Sequence, residues 1–491
     1  MVTIKYGVVK SLVTSDIKLE RKAVYALLDH QLAFFKKDYF WAASYQMSLW
    51  DGKQHFFYPK TGKLYTGFIS RTLKILKAEG AEYDLVGYPM PKEDVDLDQL
   101  NLLNEDGSIV QPYEHQLLAI NNSIKFSRGV VKVATNGGKT LIAAGIIKAL
   151  GMPPSVYYVP RTTLVNQIAK QLEARLQVDV GRVGAGYNNP RPEGITVAMT
   201  HSTAANVTKS KVVPYVHNAK VMIGDECHLS SDGRYQKSIE ACPADIRILM
   251  SGTPYKGDQV ARGFVQAYSG PLLADVSNDE LVEKGISAKP NILYLEPKID
   301  LISRARYRMQ EWNWALEECV ERNWLAALVG KAFVEAGIQT IIMLRHVEHG
   351  KRILEHYPEA TFTHGGASNR KATENRLRKG EVFCCIATAI FDTGLDVPNI
   401  GAIVYAGGGP DEIRVAQTLG RLLRQNVSKD KQPWFIDFWD TYHDVLIRHS
   451  RARKRYFAKH KTFTLTENLS LLPPRVYTSL VGGIAGVGKG L

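Results

Sequence analysis

The stretch VVKVATNGGKTLIAAGII, Val130–Ile147, decides the fold. It reads as an apolar strand, a glycine-rich turn, and an apolar helix opened by Lys139 and Thr140. Successive N–H groups in such a turn make a nest for phosphate oxygens, the Lys139 amine suits β- and γ-phosphates, and the Thr140 hydroxyl suits Mg²⁺. Thr135, Asn136, Gly137 and Gly138 build the turn. Asn136 stands where a glycine is usual, and Asn tolerates the left-handed backbone that a nest requires. Further on, the apolar run Lys220–Gly224 ends in DECH, Asp225–His228. That puts two carboxylates at a strand's carboxyl end, where open α/β sheets place their ligands. One can hold Mg²⁺ while the other orients an attacking water. Phosphoryl transfer also needs cations on the equatorial oxygens. In QTLGRLLR, Gln417–Arg424, Arg421 and Arg424 are spaced to share a helix face and to reach in from a second domain.

Around the turn, apolar runs recur between helical patterns at Val130–Ala134, Val156–Val159, Ile195–Met199, Val221–Gly224 and Ile246–Met250. A second series follows at Thr340–Leu344, Ala360–Thr363, Val382–Ala387, Ala402–Tyr405 and Trp434–Phe438. Strands alternating with helices predict α/β architecture with parallel sheets, here two in tandem. Residues 1–91 read as a small α+β accessory domain, with aromatic-rich strands around Tyr39–Tyr58. We expect the first α/β lobe over 92–288, opened by an acidic linker at Lys92–Asp106. A connector over 289–322, a second lobe over 323–445 and a basic helix and tail over 446–491 complete the chain.

The 491 residues carry a net charge of +13. From Arg448 onward, nine lysines and arginines face Glu467 alone, a block that suits a phosphate backbone. The five cysteines show no metal-ligand or disulfide spacing, which fits a reducing cytoplasm. No secretory signal is expected at the amino terminus, and no apolar run is long enough for a bilayer.

The order of these strings resembles the superfamily 2 helicases and translocases across about Gln111–Asp440, and implies two RecA-like motor lobes using ATP and Mg²⁺. By that resemblance Gln116, in YEHQ, reads the adenine edge. Asp225 engages Mg²⁺ with Thr140, Glu226 is the catalytic base, and His228 couples hydrolysis to Ser251 and Thr253 of SGTP. VPRTTLVNQ, Val159–Gln167, and THST, Thr200–Thr203, resemble strand-gripping segments, so Arg161, Thr162 and Thr200 are expected on nucleic acid, with Arg345 and Thr388 in the second lobe. Gly394 and Asp396 fall at the nucleotide face, and Gln417, Arg421 and Arg424 form the last motif, with Arg424 as arginine finger.

The stretch SLWDGKQHFFYPKTGKLYTGFISRTLKILKAEG, Ser48–Gly80, resembles the pre-motor domain of the phage UvsW-like helicases. This implies a recombination and repair motor acting on branched DNA such as Holliday junctions, forks, D-loops or R-loops, beside single-strand-binding or recombination proteins. The aromatics Tyr39, Phe40, Trp41, Trp50, Phe56, Phe57 and Tyr58, interleaved with Lys36, Lys37, Lys53 and Lys60, suit a DNA-binding face, though at least half are expected in the domain's core. An RNA helicase, a restriction-type duplex translocase and a nucleotide-gated binding protein without turnover stay open as alternatives.

Overall fold

The computed structural model describes residues 1–487 except 99, 105, 211, 389–399 and 424–431. The chain forms two compact units, Met1–Val276 and Ser277–Leu491. In the first, eight strands lie in the order Tyr187–Asn189, Val180–Gly184, Ile195–Met199, Ser155–Val159, Val221–Gly224, Ile246–Ser251, Arg128–Val133 and Leu272–Val276. All neighbours are parallel except the first pair. Helices cover both faces of such a sheet, so its inner strands read as unbroken apolar runs. Val221–Gly224 and Ile246–Ser251 are buried along their whole length. The three strands absent from the sequence reading are VGRVG, YNN and LLADV, short and interrupted by glycine or polar residues.

The amino-terminal domain holds a five-stranded sheet in the order Phe57–Tyr58, Lys63–Tyr65, Lys10–Ser15, Val2–Lys5 and Tyr83–Val86. It shares one hydrophobic core with the lobe beside it. The fully buried Phe56 ring lies 5.0 Å from Phe264, and Tyr65 lies 5.6 Å from Tyr268. Both tyrosine hydroxyls donate to the same Glu240 oxygen at 2.9 Å. At Gly67 the backbones meet so closely that a Cβ would stand 1.8 Å from the Gln266 carbonyl oxygen. The acidic segment expected as a linker is instead a strap on the lobe. Lys92 N donates to Lys125 O at 2.9 Å, Leu103 N donates to Arg175 O at 3.2 Å, and Leu100 and Leu102 are buried. Of the expected aromatic strands, only Lys53–His55 and Phe57–Tyr58 form. Tyr39–Trp41 and Ala43–Gln46 are helical turns.

The second unit carries seven parallel strands, ordered Thr361–Thr363, Cys384–Ala387, Thr340–Met343, Ala402–Tyr405, Trp434–Phe438, Asn291–Leu295 and Thr464–Thr466. Two of these correct the expected organisation. Asn291–Leu295 lies inside the segment read as a connector, and Thr464–Thr466 inside the basic tail. The tail's last helix, Pro474–Val487, packs on Val320–Glu335 with Val476 and Leu480 fully buried. A short apolar run between prolines and a three-residue edge strand carry too little periodicity to announce themselves.

His55 bridges two carboxylates of the first domain, Nδ1 to Asp29 at 2.6 Å and Nε2 to Asp51 at 2.8 Å. Burial alone would lower its pKa, but both bonds outweigh that and hold the imidazole above its ordinary 6.5. The folded state thus binds the proton more tightly than the unfolded one. Its contribution is fully present below pH 6.5 and is lost as pH rises through the folded value. Thermal stability should fall across that window, and Asp29→Asn should flatten the fall. An unchanged slope in the variant would refute the clamp. Gly67→Ala should cost about 1–3 kcal/mol, because backbone must move to admit the methyl. A melting temperature equal to wild type would mean that the two domains do not share this seam.

Candidate nucleotide site

Four loops meet at the carboxyl edge of the first sheet. The strand Arg128–Val133 feeds the turn 134–138 and the helix Lys139–Ala149. Asn136 has φ +76° and Gly138 φ +85°, two left-handed positions in a turn closed by Gly137 N donating to Ala134 O at 3.1 Å. The helix start has no side-chain cap, so its first N–H groups are left for an anion. Gln116 is only 4% exposed, and its amide is committed to the protein. Its Oε1 accepts from Tyr113 N at 2.9 Å and its Nε2 donates to Gly137 O at 3.1 Å. Gln116 therefore ties the turn 134–138 to Tyr113 through the two ends of its amide. His115, which the sequence reading passed over, meets the same carbonyl through Nε2 at 3.0 Å.

Asp225 and Glu226 follow the buried strand Val221–Gly224. Burial, then the charge of Glu226, pushes the Asp225 carboxyl up to about 6 against the pull of Lys139. Burial works to raise Glu226 too. The hydrogen bond from His228 and the charges of Lys139, His228 and Arg161 outweigh it and hold that carboxyl at about 2. Asp225 Oδ1 accepts from the Glu226 amide at 2.9 Å, and the Tyr235 hydroxyl donates to Asp225 O at 2.9 Å. Glu226 sits at φ +49°, a costly conformation for a residue with a side chain and one that clusters at active sites. His228 Nδ1 lies 3.2 Å from Ser251 Oγ and 3.3 Å from Glu226 Oε2. Ser251 Oγ donates to Glu226 Oε2 at 3.4 Å and accepts from Thr253 N at 3.1 Å. The expected His228–Ser251 pairing thus includes Glu226 as well.

In the second unit the helix Glu412–Leu422 buries Val415, Leu419 and Leu422, leaving Gln417 and Arg421 half-buried one turn apart on another face. Its origin is set by three arginines that grip the preceding loop through its carbonyls. Arg322 Nη1 donates to Ala406 O at 2.7 Å, Arg345 Nη2 to Gly408 O at 3.1 Å, and Arg453 Nη1 to Gly409 O at 2.9 Å. Asp440 holds Arg322 at 2.7 Å and Asp437 holds Arg453 at 2.8 Å. The sequence reading missed this cluster. Its signal was Asp437 inside the apolar run WFIDF, since a carboxylate there needs a buried cationic partner.

Two family descriptions match the chain. "Type III restriction enzyme, res subunit" covers residues 109–256 and "Helicase conserved C-terminal domain" covers 322–426, together just over half its length. Among relatives, the ATP-dependent DNA helicase uvsW of Enterobacteria phage T4 is 24% identical over 396 residues, spanning 73% of this chain and 74% of that one. The DNA 3'-5' translocase XPB2 of Sulfurisphaera tokodaii is 24% identical over 366 residues, 66% of this chain and 80% of that one. The chain belongs to the superfamily 2 helicases. In fold the helicase also matches S. cerevisiae Dbp5 bound to RNA and ADP BeF3, with a TM-score of 0.55 at 13% identity over 79% of this chain and 99% of that one. It is an ATP-driven nucleic-acid-unwinding enzyme with two tandem helicase domains behind a small amino-terminal one.

The remaining expected contacts of this helicase divide. Arg161 begins the helix Thr162–Leu176, close enough to Glu226 to lower its carboxyl, and Thr162 is exposed beside it. Thr200 is 1% exposed, so the side chain expected on nucleic acid is enclosed, while its carbonyl accepts from Ser238 Oγ at 2.7 Å. Arg345 is likewise committed inward, to Gly408 and over the Trp312 ring at 5.7 Å. Thr388 is 7% exposed at the end of Cys384–Ala387. Gly394, Asp396 and Arg424 lie outside the described residues.

Ser251→Ala should leave nucleotide affinity within about twofold and slow hydrolysis roughly tenfold, since it removes hydrogen bonds worth on the order of 1 kcal/mol each around Glu226. Steady-state ATPase beside equilibrium nucleotide binding separates the two quantities. Undiminished hydrolysis would show that Ser251 does not position Glu226.

Proposed function

We propose that this helicase couples ATP hydrolysis to movement on branched DNA, namely Holliday junctions, forks, D-loops or R-loops, in phage recombination, repair and replication. The observation that carries the reading is the similarity to the phage T4 uvsW helicase over 396 residues.

In this reading the turn 134–138 and the amides opening Lys139–Ala149 bind the β- and γ-phosphates, with the Lys139 amine beside them. Asp225 and Thr140 offer hard oxygen ligands, and a buried carboxyl pushed up to about 6 is one whose charge calls for a further cation. Among the described residues no cluster of three or more His, Cys, Asp or Glu could hold a metal by itself. Asp225 and Thr140 would hold a Mg²⁺, which would offset charge on the phosphates. Glu226, ionised near neutrality, orients the attacking water and takes its proton. The bond from γ-phosphorus to the bridging oxygen breaks, and ADP carries that oxygen away. Ser251 and His228 register whether Glu226 is free or engaged, and Thr253 N ties them to the next loop. Arg421 and Arg424 supply the cations for the transferring phosphoryl group, and Gln417 shares their helix. Arg161 and Thr162 touch the DNA backbone, which makes sequence preference weak. Among the described residues no helix is long and apolar enough to cross a membrane, and all five cysteines are buried and free.

A second reading, translocation along duplex without strand separation, draws on the similarity to the XPB2 translocase. The test compares ATPase and strand displacement on a mobile four-way DNA junction, linear duplex, single-stranded DNA and matched RNA. Wild type should process the junction selectively, and Glu226→Gln should lose about 100-fold or more in hydrolysis and all processing. Hydrolysis without displacement would favour the translocase, and equal action on RNA would sink the DNA reading.

A further inference from the structure

Residues 36–52 form a small head on a two-stranded ribbon. The strands Ala33–Phe35 and Lys53–His55 pair in antiparallel register and carry the head outward from the amino-terminal domain. Its interior is tightly built. The Tyr39 ring stacks on Phe35 at 4.5 Å, meets Tyr45 edge-on at 4.8 Å and covers Gly52, where a Cβ would come within 2.5 Å of it. Gly52 has φ +80°, so only glycine serves there without strain. Trp50 Nε1 donates to Lys53 O at 2.9 Å, and Asp51 accepts from the Lys53 amide at 3.0 Å while bonding His55.

This ordered head turns its large apolar side chains outward. Trp41 is 74% exposed, Leu49 78%, Met47 68% and Phe40 48%. An apolar cluster of that size on a fixed scaffold marks a surface that something covers. The side chains name the partner. Phe40 and Trp41 lie 5.2 Å apart at 51° and present separate ring faces. The flanking cations are Lys36, Lys37 and Lys53, with Lys36 over Trp50 at 5.4 Å and Lys53 over Phe35 at 4.9 Å. Asp51 is already engaged by His55, which leaves Asp38 as the head's other carboxylate. Exposed aromatic rings on a head that also carries these lysines match stacked bases and their phosphates, and stacking of this kind is indifferent to sequence. A continuous duplex offers no base faces. They become accessible only where pairing stops.

We propose that the head is a stacking site for unpaired DNA bases at a branch point, with Phe40 and Trp41 as the stacking residues and Lys36, Lys37 and Lys53 on the adjoining phosphates. The proposal rests on the reading of this helicase as a branched-DNA motor, and it adds where the branch is met.

The test is equilibrium binding of the full chain, without ATP, to a forked DNA carrying 2-aminopurine at its first unpaired position, and to a hairpin-closed duplex with no unpaired end. The double variant Phe40→Ala/Trp41→Ala should bind the fork about tenfold more weakly and abolish the 2-aminopurine change, and Trp41→Phe alone should retain most of both. Closed-duplex binding, DNA-free ATPase and the melting temperature should stay at wild-type values. Unaltered fork affinity and emission would overturn the proposal, as would an equal loss on the closed duplex. A change in sedimentation with DNA binding intact would instead assign the surface to a second copy of the chain. If wild type contacts the fork base but fails to process junctions with ATP, the motor reading falls and the stacking site stands.

Discussion

Two adjacent carboxylates at the end of a buried strand are the constraint around which the first unit is arranged. Burying one ionised carboxyl is costly and burying two side by side more so, unless cations and donors converge on them. The sheet order supplies that convergence. Val221–Gly224 lies between Ser155–Val159, which leads to Arg161, and Ile246–Ser251, which ends in the hydroxyl beside Glu226 and His228. Arg128–Val133 comes next and leads to Lys139. Because all these strands are parallel, their carboxyl ends open on the same edge. The pair splits accordingly, one carboxyl pushed up and the other held down. The left-handed backbone at Glu226 is held by the bond from its own amide to Asp225 and by the contacts of its side chain with His228 and Ser251.

The second unit solves a different problem with the opposite charge. The loop 406–410 reads AGGGP and has almost no side chains with which to hold itself. Arg322, Arg345 and Arg453 hold it by the backbone, and two of the three are in turn neutralised by Asp440 and Asp437. The planar guanidinium fork can bind a carboxylate and a carbonyl at once, which a lysine cannot do with fixed geometry. Gly409 also leaves the space that Arg345 uses, since a Cβ there would fall 1.8 Å from Nη2. The helix bearing Gln417 and Arg421 thereby starts from a fixed point. Removing any one arginine would leave a buried acceptor or carboxylate without its donor.

What the sequence made legible follows from how local each signal is. The phosphate turn, DECH, SGTP and the ten apolar runs are contiguous strings, and each corresponds to a loop or strand in the expected place. The partners of Gln116, Thr200 and Arg345 within the protein were not legible, because each is presented by a distant segment: the Gly137 carbonyl, the Ser238 hydroxyl, the Gly408 carbonyl. The arginine clamp joins residues from position 322 to 453, a separation no motif records. In the accessory domain, composition could not sort core aromatics from exposed ones. Phe56 and Phe57 are fully buried and Phe40 and Trp41 project, although all four share the same lysine-rich surroundings.

The seam between the accessory domain and the first lobe decides how the exposed head behaves when the nucleotide site works. The loop Ser251–Pro254, which touches Glu226 through Ser251, is followed by the helix Gln259–Tyr268. On that helix Gly263 faces Phe56 and Phe34, where a Cβ would come within 2.6 and 3.4 Å of their rings. Phe34 belongs to the ribbon strand that carries the head. From Ser251 to Phe34 the connection runs through packed elements of one unit, joined by the exposed turn Gly257–Gln259. A close-packed body of this kind transmits displacement without absorbing it. The head is thus carried on a strand packed against the helix that follows the Ser251 loop.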